Sequence, residues 1–158
     1  MQVFHSSTAI IEHPDISFSR DYLDFGKGFY VTTLRQQAVN YADRFLKRGK
    51  LAFLNEYVWD ENSTTQCKIK RFERYDEVWL DFIMSCRNGN DNSLWDIVVG
   101  GIANDKVFRT IDLYFTKEIT KDEALKRLID ERPNNQICFR NQEVIDKYVT
   151  FVKAEELK

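Results

Sequence analysis

Hydrophobic residues along the chain change their spacing several times, between the period of two typical of strands and the 3.6-residue period of helices. Stretches rich in β-branched and aromatic residues predict seven strands, at 2–5, 29–33, 51–59, 66–72, 95–100, 136–139 and 148–152. Between the first two strands, residues 9–25 predict a polar loop with one extended piece.

The clearest helical pattern follows the second strand and consists of Leu34, Ala38, Tyr41, Ala42 and Phe45. Thr33, with Gln36 three residues later, has the form of a capping box, and Gly49 is placed to end the helix. Further helices are predicted over 78–88, over 107–115, from a cap at Thr120 to about 129, and as a short turn before residue 148.

These segments mix without a steady alternation of strand, helix and strand, which favours an α+β fold over a doubly wound sheet. The chain has no repeat, low-complexity block or Pro/Gly-rich linker, so residues 1–158 are expected to form one domain. Its hydrophobic content of 43% is enough for a substantial core, while a charged content of 30% favours a solvated surface.

Charge narrows the classes of partner. A net charge of −2 argues against a nucleic-acid-binding protein that works by bulk electrostatics. A local basic patch, formed by Arg44, Lys47, Arg48 and Lys50, stays open as an alternative. Its simpler interpretation is a set of cations that complement the C-terminus of a helix.

The three cysteines, Cys67, Cys86 and Cys138, are widely separated and form no Cys-x-x-Cys pair. Neither a disulfide framework nor a zinc site is expected, and no metal ligand set is predicted. The first residues read as a strand rather than a signal peptide, and no apolar run is long enough to span a membrane. A cytoplasmic protein without membrane contact is therefore expected.

The most informative segment runs from Asp24 to Thr33 and reads Asp-Phe-Gly-Lys-Gly-Phe-Tyr-Val-Thr-Thr. Its two glycines allow a backbone turn, which leads directly into the strand that carries Tyr30. Tyr41 follows eleven residues later on the predicted helix. A glycine turn and two such tyrosines would grip a flat ring from both faces.

Other interpretations of this segment have little support. Asp24-Phe25-Gly26 is also the magnesium-binding triplet of protein kinases, but the chain lacks their Gly-rich and His-Arg-Asp loops. Gly26 and Gly28 lack the third glycine and the preceding buried strand of a dinucleotide-binding fingerprint. The only two histidines and the absence of Gly-x-Ser-x-Gly disfavour a hydrolase triad.

Residues 26–41 resemble, without a gap, the segment of the poly(ADP-ribose) polymerase family whose two tyrosines enclose nicotinamide. In that family a histidine on the first strand binds the adenosine-side ribose and precedes a residue that binds the nicotinamide amide. Phe4-His5-Ser6-Ser7 occupies that place here.

A closer resemblance covers nearly the whole chain and is to a bacterial family of unknown function grouped with the ADP-ribosyltransferases. Its ordered motifs are present as Trp79-Leu80-Asp81-Phe82, Gly101-Ile102-Ala103-Asn104-Asp105 and Gln136-Ile137-Cys138-Phe139. The resemblance implies a split β-sheet with peripheral helices and an NAD cleft between the two halves. Trp79 and Phe82 are expected in the core.

The resemblance also implies the site residues. NAD, as co-substrate, would contact His5, Ser6, Gly28, Tyr30, Thr32, Tyr41 and Asp105, and catalysis would use Gln136, His5 and Tyr30. Asp105 fits equally well as the cap of the helix that begins near Val107.

Three residues depart from the family pattern. Ser6 replaces a glycine, Ala38 replaces the serine that holds the nicotinamide amide in the polymerases, and Gln136 stands where many transferases have glutamate. A carboxylate there would stabilise the oxocarbenium-like ribose, whereas an amide only orients its hydroxyl. Glu131 and Glu143 flank the motif as alternative carboxylates.

The resemblance therefore implies mono-ADP-ribosyl transfer from NAD to a protein or nucleic acid, with nicotinamide released. It further suggests a toxin-like bacterial effector with a cognate antitoxin. Two alternatives stay open: a catalytically weak or inactive module that binds NAD or ADP-ribose, and an NAD glycohydrolase that uses water as the acceptor.

Overall fold

The structure of the chain, a computed structural model, describes residues 1–102, 105–131 and 134–158. Within these ranges the fold is α+β, with two β-sheets and five α-helices. The strands are β1 (Gln2–Ser7), β2 (Phe29–Val31), β3 (Ala52–Trp59), β4 (Ile69–Arg71), β5 (Ile97–Ile102), β6 (Asn134–Phe139) and β7 (Val149–Leu157). The helices are α1 (Arg35–Leu46), α2 (Glu77–Arg87), α3 (Asp105–Phe115), α4 (Lys121–Leu128) and α5 (Gln142–Tyr148).

The strands divide between a sheet of order β1-β3-β7 and a sheet of order β2-β6-β5-β4. All pairings are antiparallel except that of β4 with β5. The two sheets are joined where Phe4 of β1 pairs with Thr32, one residue beyond β2. Two backbone hydrogen bonds of 2.8 and 2.9 Å form this link, which we call the seam.

Three clusters of buried side chains fill the space around the sheets. The largest lies between β5, β6 and the helices α2, α3 and α4, and includes Trp79, Leu80, Ile83, Val98, Ile111, Leu128 and Cys138. A second lies between the sheets and includes Val3, Phe29, Val31, Tyr57, Trp59, Ile97, Ile137 and Phe139. The third cluster packs α1 against β1 and β3 and consists of Phe4, Ala38 and Leu54.

Two capping predictions have different outcomes. The box predicted at Thr33 and Gln36 is wrong, because α1 begins at Arg35 after Leu34, whose side chain makes no capping bond. The Leu34 amide donates to Thr32 Oγ1 at 3.0 Å, a contact within the turn that precedes the helix. The cap at Thr120 is confirmed, since its hydroxyl accepts from the Glu123 amide.

The remaining differences concern exposure and one short element. The extended piece predicted within 9–25 is a 3-10 helix, Ile16–Phe18, capped by Asp15. Leu34 and Val78 belong to the hydrophobic patterns that predict α1 and α2, but both side chains are exposed. Each hydrophobic pattern extends beyond the face of the helix that is buried. Trp79 is fully buried, as predicted, and Phe82 packs against the same cluster.

The glycine turn before β2 is held by contacts on both sides. Gly26 has a φ of +78°, a conformation that residues with a Cβ resist. The Asp24 carboxylate accepts from Arg87 Nε of α2 at 2.7 Å, and both side chains are largely buried. A Cβ at Gly28 would lie 2.5 Å from Cys138 Sγ and 2.6 Å from the Phe139 carbonyl oxygen. Gly28 is therefore required for close packing of the turn on β6.

We expect Gly28→Ala to lower the free energy of unfolding by about 1–3 kcal/mol, because the added methyl group must displace β6 or the turn. Denaturant titration measures the loss, with Lys27→Ala as the control, since Lys27 is adjacent and exposed. That control should stay within about 0.5 kcal/mol of wild type. Equal midpoints for the two variants would contradict the packing role of Gly28.

Candidate functional site

Tyr30 is fixed by the glycine turn that precedes it. Its hydroxyl donates to the Gly26 carbonyl oxygen and accepts from the Phe25 amide at 3.1 Å. Its ring lies 6.5 Å from that of Phe25, on the face of the sheet that carries the largest cluster. Burial raises the pKa of Tyr30 well above its usual value near 10, so the hydroxyl stays protonated and cannot act as a base.

His5 lies on the other side of the seam and contacts the backbone of Tyr30. Its Nδ1 is 2.7 Å from the Tyr30 carbonyl oxygen, which can only accept, so Nδ1 carries the proton. Its ring packs on Phe29 with centroids 4.6 Å apart. Burial lowers the pKa of His5, which favours the neutral ring and leaves Nε2 as a hydrogen-bond acceptor.

Ser6 and Thr32 are close to His5 and Tyr30, but their side chains have structural partners. Both residues are buried. The Ser6 hydroxyl donates to the Ala38 carbonyl oxygen at 2.6 Å, which ties β1 to α1. Thr32 Oγ1 accepts from the Leu34 amide, and the Thr32 backbone forms the seam. Their hydroxyls position α1 over β1 rather than standing ready for a ligand.

Gln136 reaches the same region from the neighbouring strand. The pairing of β2 with β6 matches Val31 with Ile137, so continuing the register places Gln136 opposite Thr32. Since side chains alternate along a strand, Gln136 shares a face with Cys138, which packs in the cluster around Tyr30. The structure thus brings His5, Thr32 and Gln136 together across three adjacent strands, with His5 on the opposite face from Gln136.

The alternative carboxylates are placed less favourably. Glu143 lies in the first turn of α5, beyond the opposite end of β6 from Gln136. At about 3.3 Å per residue, the three steps from Gln136 to the end of β6 at Phe139 already span roughly 10 Å. Glu131 is ion-paired with Lys106 at 2.8 Å.

Tyr41 lies on α1 and is 45% exposed. The Arg44 guanidinium covers one face of its ring at 3.7 Å, and Phe45 meets the ring edge-on. The rings of Tyr30 and Tyr41 are not in contact with each other. Gln37, one helical turn before Tyr41, carries a buried side-chain amide, and its sequence context resembles any polar position on a helix.

The third motif is described only in part. Asp105 is the first residue of α3, and its side chain lies outside the described residues, as do Ala103 and Asn104. Its predicted contact with NAD and its alternative role as a cap therefore both stay predictions.

The Cys138 thiol lies in the buried cluster next to Tyr30. Burial raises the pKa of the Cys138 thiol to about 12, so it stays protonated at neutral pH. Among the described residues, no group of three or more His, Cys, Asp or Glu side chains is placed to hold a metal ion.

The described helices include none with the length and apolar character needed to cross a membrane.

Two open surface depressions, of about 350 and 390 Å³, lie elsewhere. Both border Arg140, whose guanidinium is paired with Asp91 at 2.5 Å. Among the described residues that line them, none is a predicted site residue, although Gly26 and Lys27 of the turn border the first.

In a comparison with protein families, residues 1–151 match the family described as "Protein of unknown function (DUF3990)". The chain belongs to this family. No curated protein and no solved structure matches it. The DUF3990 match includes the glycine turn, both tyrosines, His5 and Gln136.

We expect the stability of the protein to depend on His5 below pH 6.5. Because burial lowers the pKa of His5 in the folded chain, the unfolded chain binds more protons between that pKa and 6.5. The contribution of neutral His5 to the free energy of unfolding is complete above pH 6.5, and it falls as the pH drops toward the folded-state pKa of His5. The slope is at most about 1.4 kcal/mol per pH unit, the limit for one proton.

Urea titrations of wild type and His5→Gln between pH 5 and 8 give the free energy of unfolding of each protein at each pH. The change with pH in the difference between the two proteins measures the contribution of His5. His13→Gln serves as the control, because His13 is the other histidine and is exposed. A difference between wild type and His5→Gln that stays constant over this range would contradict a partly buried His5 that is neutral in the folded chain.

Proposed function

We propose that the protein is an NAD-dependent mono-ADP-ribosyltransferase that acts on a protein or nucleic-acid acceptor. The observation that carries this proposal is the juxtaposition of His5, the Tyr30–Thr32 segment and Gln136 on three adjacent strands at the seam. His5 and Gln136 are 131 positions apart in the sequence. Their position where the two sheets meet fits the NAD cleft that the motif resemblance implies between the halves of a split-sheet transferase fold, with His5 and Gln136 approaching this cleft from opposite faces.

Each residue has a role that follows from its contacts. The Nε2 acceptor of His5 suits a ribose hydroxyl, because the protonated Nδ1 is already bonded to Tyr30. The Tyr30 ring, held by its hydroxyl, and the exposed Tyr41 ring would pack on the two faces of nicotinamide. The Gln136 amide would bind the 2′-hydroxyl of the reacting ribose.

The reaction breaks the bond between nicotinamide and C1′ of the ribose. Nicotinamide leaves with the electron pair, and the positive charge spreads over C1′ and the ring oxygen. An acceptor oxygen or nitrogen then bonds to C1′ and loses one proton to solvent. Gln136 holds the 2′-hydroxyl through these steps, and its neutral amide stabilises the cation less than a carboxylate would.

The neutral amide at Gln136 also favours a second candidate function. A module that keeps the pocket without fast chemistry would bind NAD or ADP-ribose as a recognition domain. Release of nicotinamide distinguishes the two functions. Incubation with labelled NAD and a host lysate, followed by separate protease and nuclease treatment, distinguishes a protein acceptor, a nucleic-acid acceptor and hydrolysis by water.

We expect NAD to stabilise the protein, because only the folded pocket binds it. At 100 times its dissociation constant, NAD should add about 2.7 kcal/mol, or roughly 5–10 °C in Tm for a domain of this size. Thermal unfolding with NAD, ADP-ribose, nicotinamide or adenosine measures the effect, and adenosine should give the smallest shift. The absence of any shift would refute NAD binding in every form.

We expect Gln136→Ala to reduce nicotinamide release by up to about 10²–10³-fold with little change in NAD affinity, since one transition-state hydrogen bond is lost. Gln136→Glu should match or exceed wild type. Glu143→Gln is the control and should be silent, because Glu143 lies past the opposite end of β6. Equal rates for wild type and Gln136→Ala would remove Gln136 from the chemistry and direct attention to Glu131.

A further inference from the structure

Gln37 carries an amide that the proposed pocket does not yet use. Both of its polar atoms, Oε1 and Nε2, are buried, and neither has a hydrogen-bond partner within the part of the chain that the structure describes. The indole N–H groups of Trp59 and Trp79 share this property, but they belong to fully buried core side chains. An amide with an unpartnered donor and an unpartnered acceptor is costly unless a ligand or water satisfies it.

The packing of α1 shows which way Gln37 faces. Arg35 is ion-paired with Glu155 of β7, and Val39 packs in the same cluster as Leu157, so this flank of α1 faces β7. At 100° per residue, Gln37 and Tyr41 lie on the opposite flank. Because the sheet order is β1-β3-β7, that opposite flank lies toward β1 and the seam.

Gln37 and Tyr41 are also direct neighbours on this flank. Residues four apart on a helix have Cβ atoms roughly 5–6 Å from each other. A flat ring stacked on the Tyr41 face that Arg44 leaves open would therefore place a substituent at its edge next to the Gln37 amide, which becomes accessible when the side chains that bury it move aside. The Ser6 hydroxyl of β1 is already bonded to the Ala38 carbonyl oxygen.

We propose that Gln37 binds the carboxamide of nicotinamide through a pair of amide–amide hydrogen bonds. This inference rests on the proposed function, and it supplies a group for the amide where Ala38 replaces the serine of the polymerases. The Gln37 Nε2 donates to the ligand oxygen, and the ligand nitrogen donates to Gln37 Oε1. A primary carboxamide satisfies both atoms at once, whereas the carboxylate of nicotinic acid would face Oε1 with a second acceptor.

The test compares Gln37→Met with wild type. Methionine matches the size of glutamine without its hydrogen-bonding atoms, so affinity for nicotinamide and NAD should fall roughly 10- to 100-fold for two lost bonds. Affinity for ADP-ribose, which has no carboxamide, should stay within about twofold. Because an unsatisfied buried amide is removed, the ligand-free variant should melt about 2–4 °C higher than wild type.

Gln36→Met is the matched control, because Gln36 is adjacent, exposed and bonded to Asn40 at 2.8 Å on another side of the helix. It should leave the affinity for all three ligands unchanged. A second measurement needs no variant: wild type should bind nicotinamide at least 10-fold more tightly than nicotinic acid.

Several outcomes would overturn the role of Gln37 while leaving the proposed function intact. These are unchanged nicotinamide affinity in Gln37→Met, an equal loss for ADP-ribose, a lower Tm for the ligand-free variant than for Gln36→Met, or equal binding of nicotinic acid by wild type. If wild type binds none of NAD, nicotinamide and ADP-ribose, the proposed function itself fails and the role of Gln37 fails with it.

Discussion

The seam between the two sheets is the constraint on which the candidate site depends. Two backbone hydrogen bonds join Phe4 to Thr32, and the His5 ring reinforces them by bonding to the Tyr30 carbonyl oxygen. These contacts fix β1 against β2, and the pairing of β2 with β6 then positions Gln136. A slip of one residue at the seam would turn the β1 side chains, His5 among them, to the other face relative to β2.

The glycine turn controls the direction of Tyr30 as well as the path of the chain. Gly26 takes the left-handed conformation that closes the turn, and its carbonyl oxygen accepts from the Tyr30 hydroxyl. The buried pair of Asp24 and Arg87 ties the same turn to α2. Tyr30 is thus fixed at its hydroxyl by Gly26, and the turn that carries Gly26 is fixed by α2. This arrangement favours a role as a rigid packing surface over a role as a catalytic acid or base.

The polar side chains around the site differ in whether they have hydrogen-bond partners. The hydroxyls of Ser6 and Thr32 are bonded to the backbone around the start of α1, and they keep that helix in place. Gln37, on the flank of α1 that faces the seam, retains an unpaired amide in the described structure. A helix held firmly at its start can present such a group in a fixed direction, which reduces the ordering cost of ligand binding.

The sequence by itself determined the α+β class, most element positions, the turn at Gly26 and the strand that carries Tyr30, because these follow from local periodicity and backbone preference. It also singled out His5 and Gln136 through their motifs. Only the tertiary structure decided that the His5 ring bonds to the Tyr30 backbone, that α1 begins without the cap expected from Thr33, and that the Gln37 amide is buried without a partner among the described residues. These features arise from contacts between elements distant in sequence or from the exact residue at which a helix begins, and no local pattern encodes which partner a polar group finds.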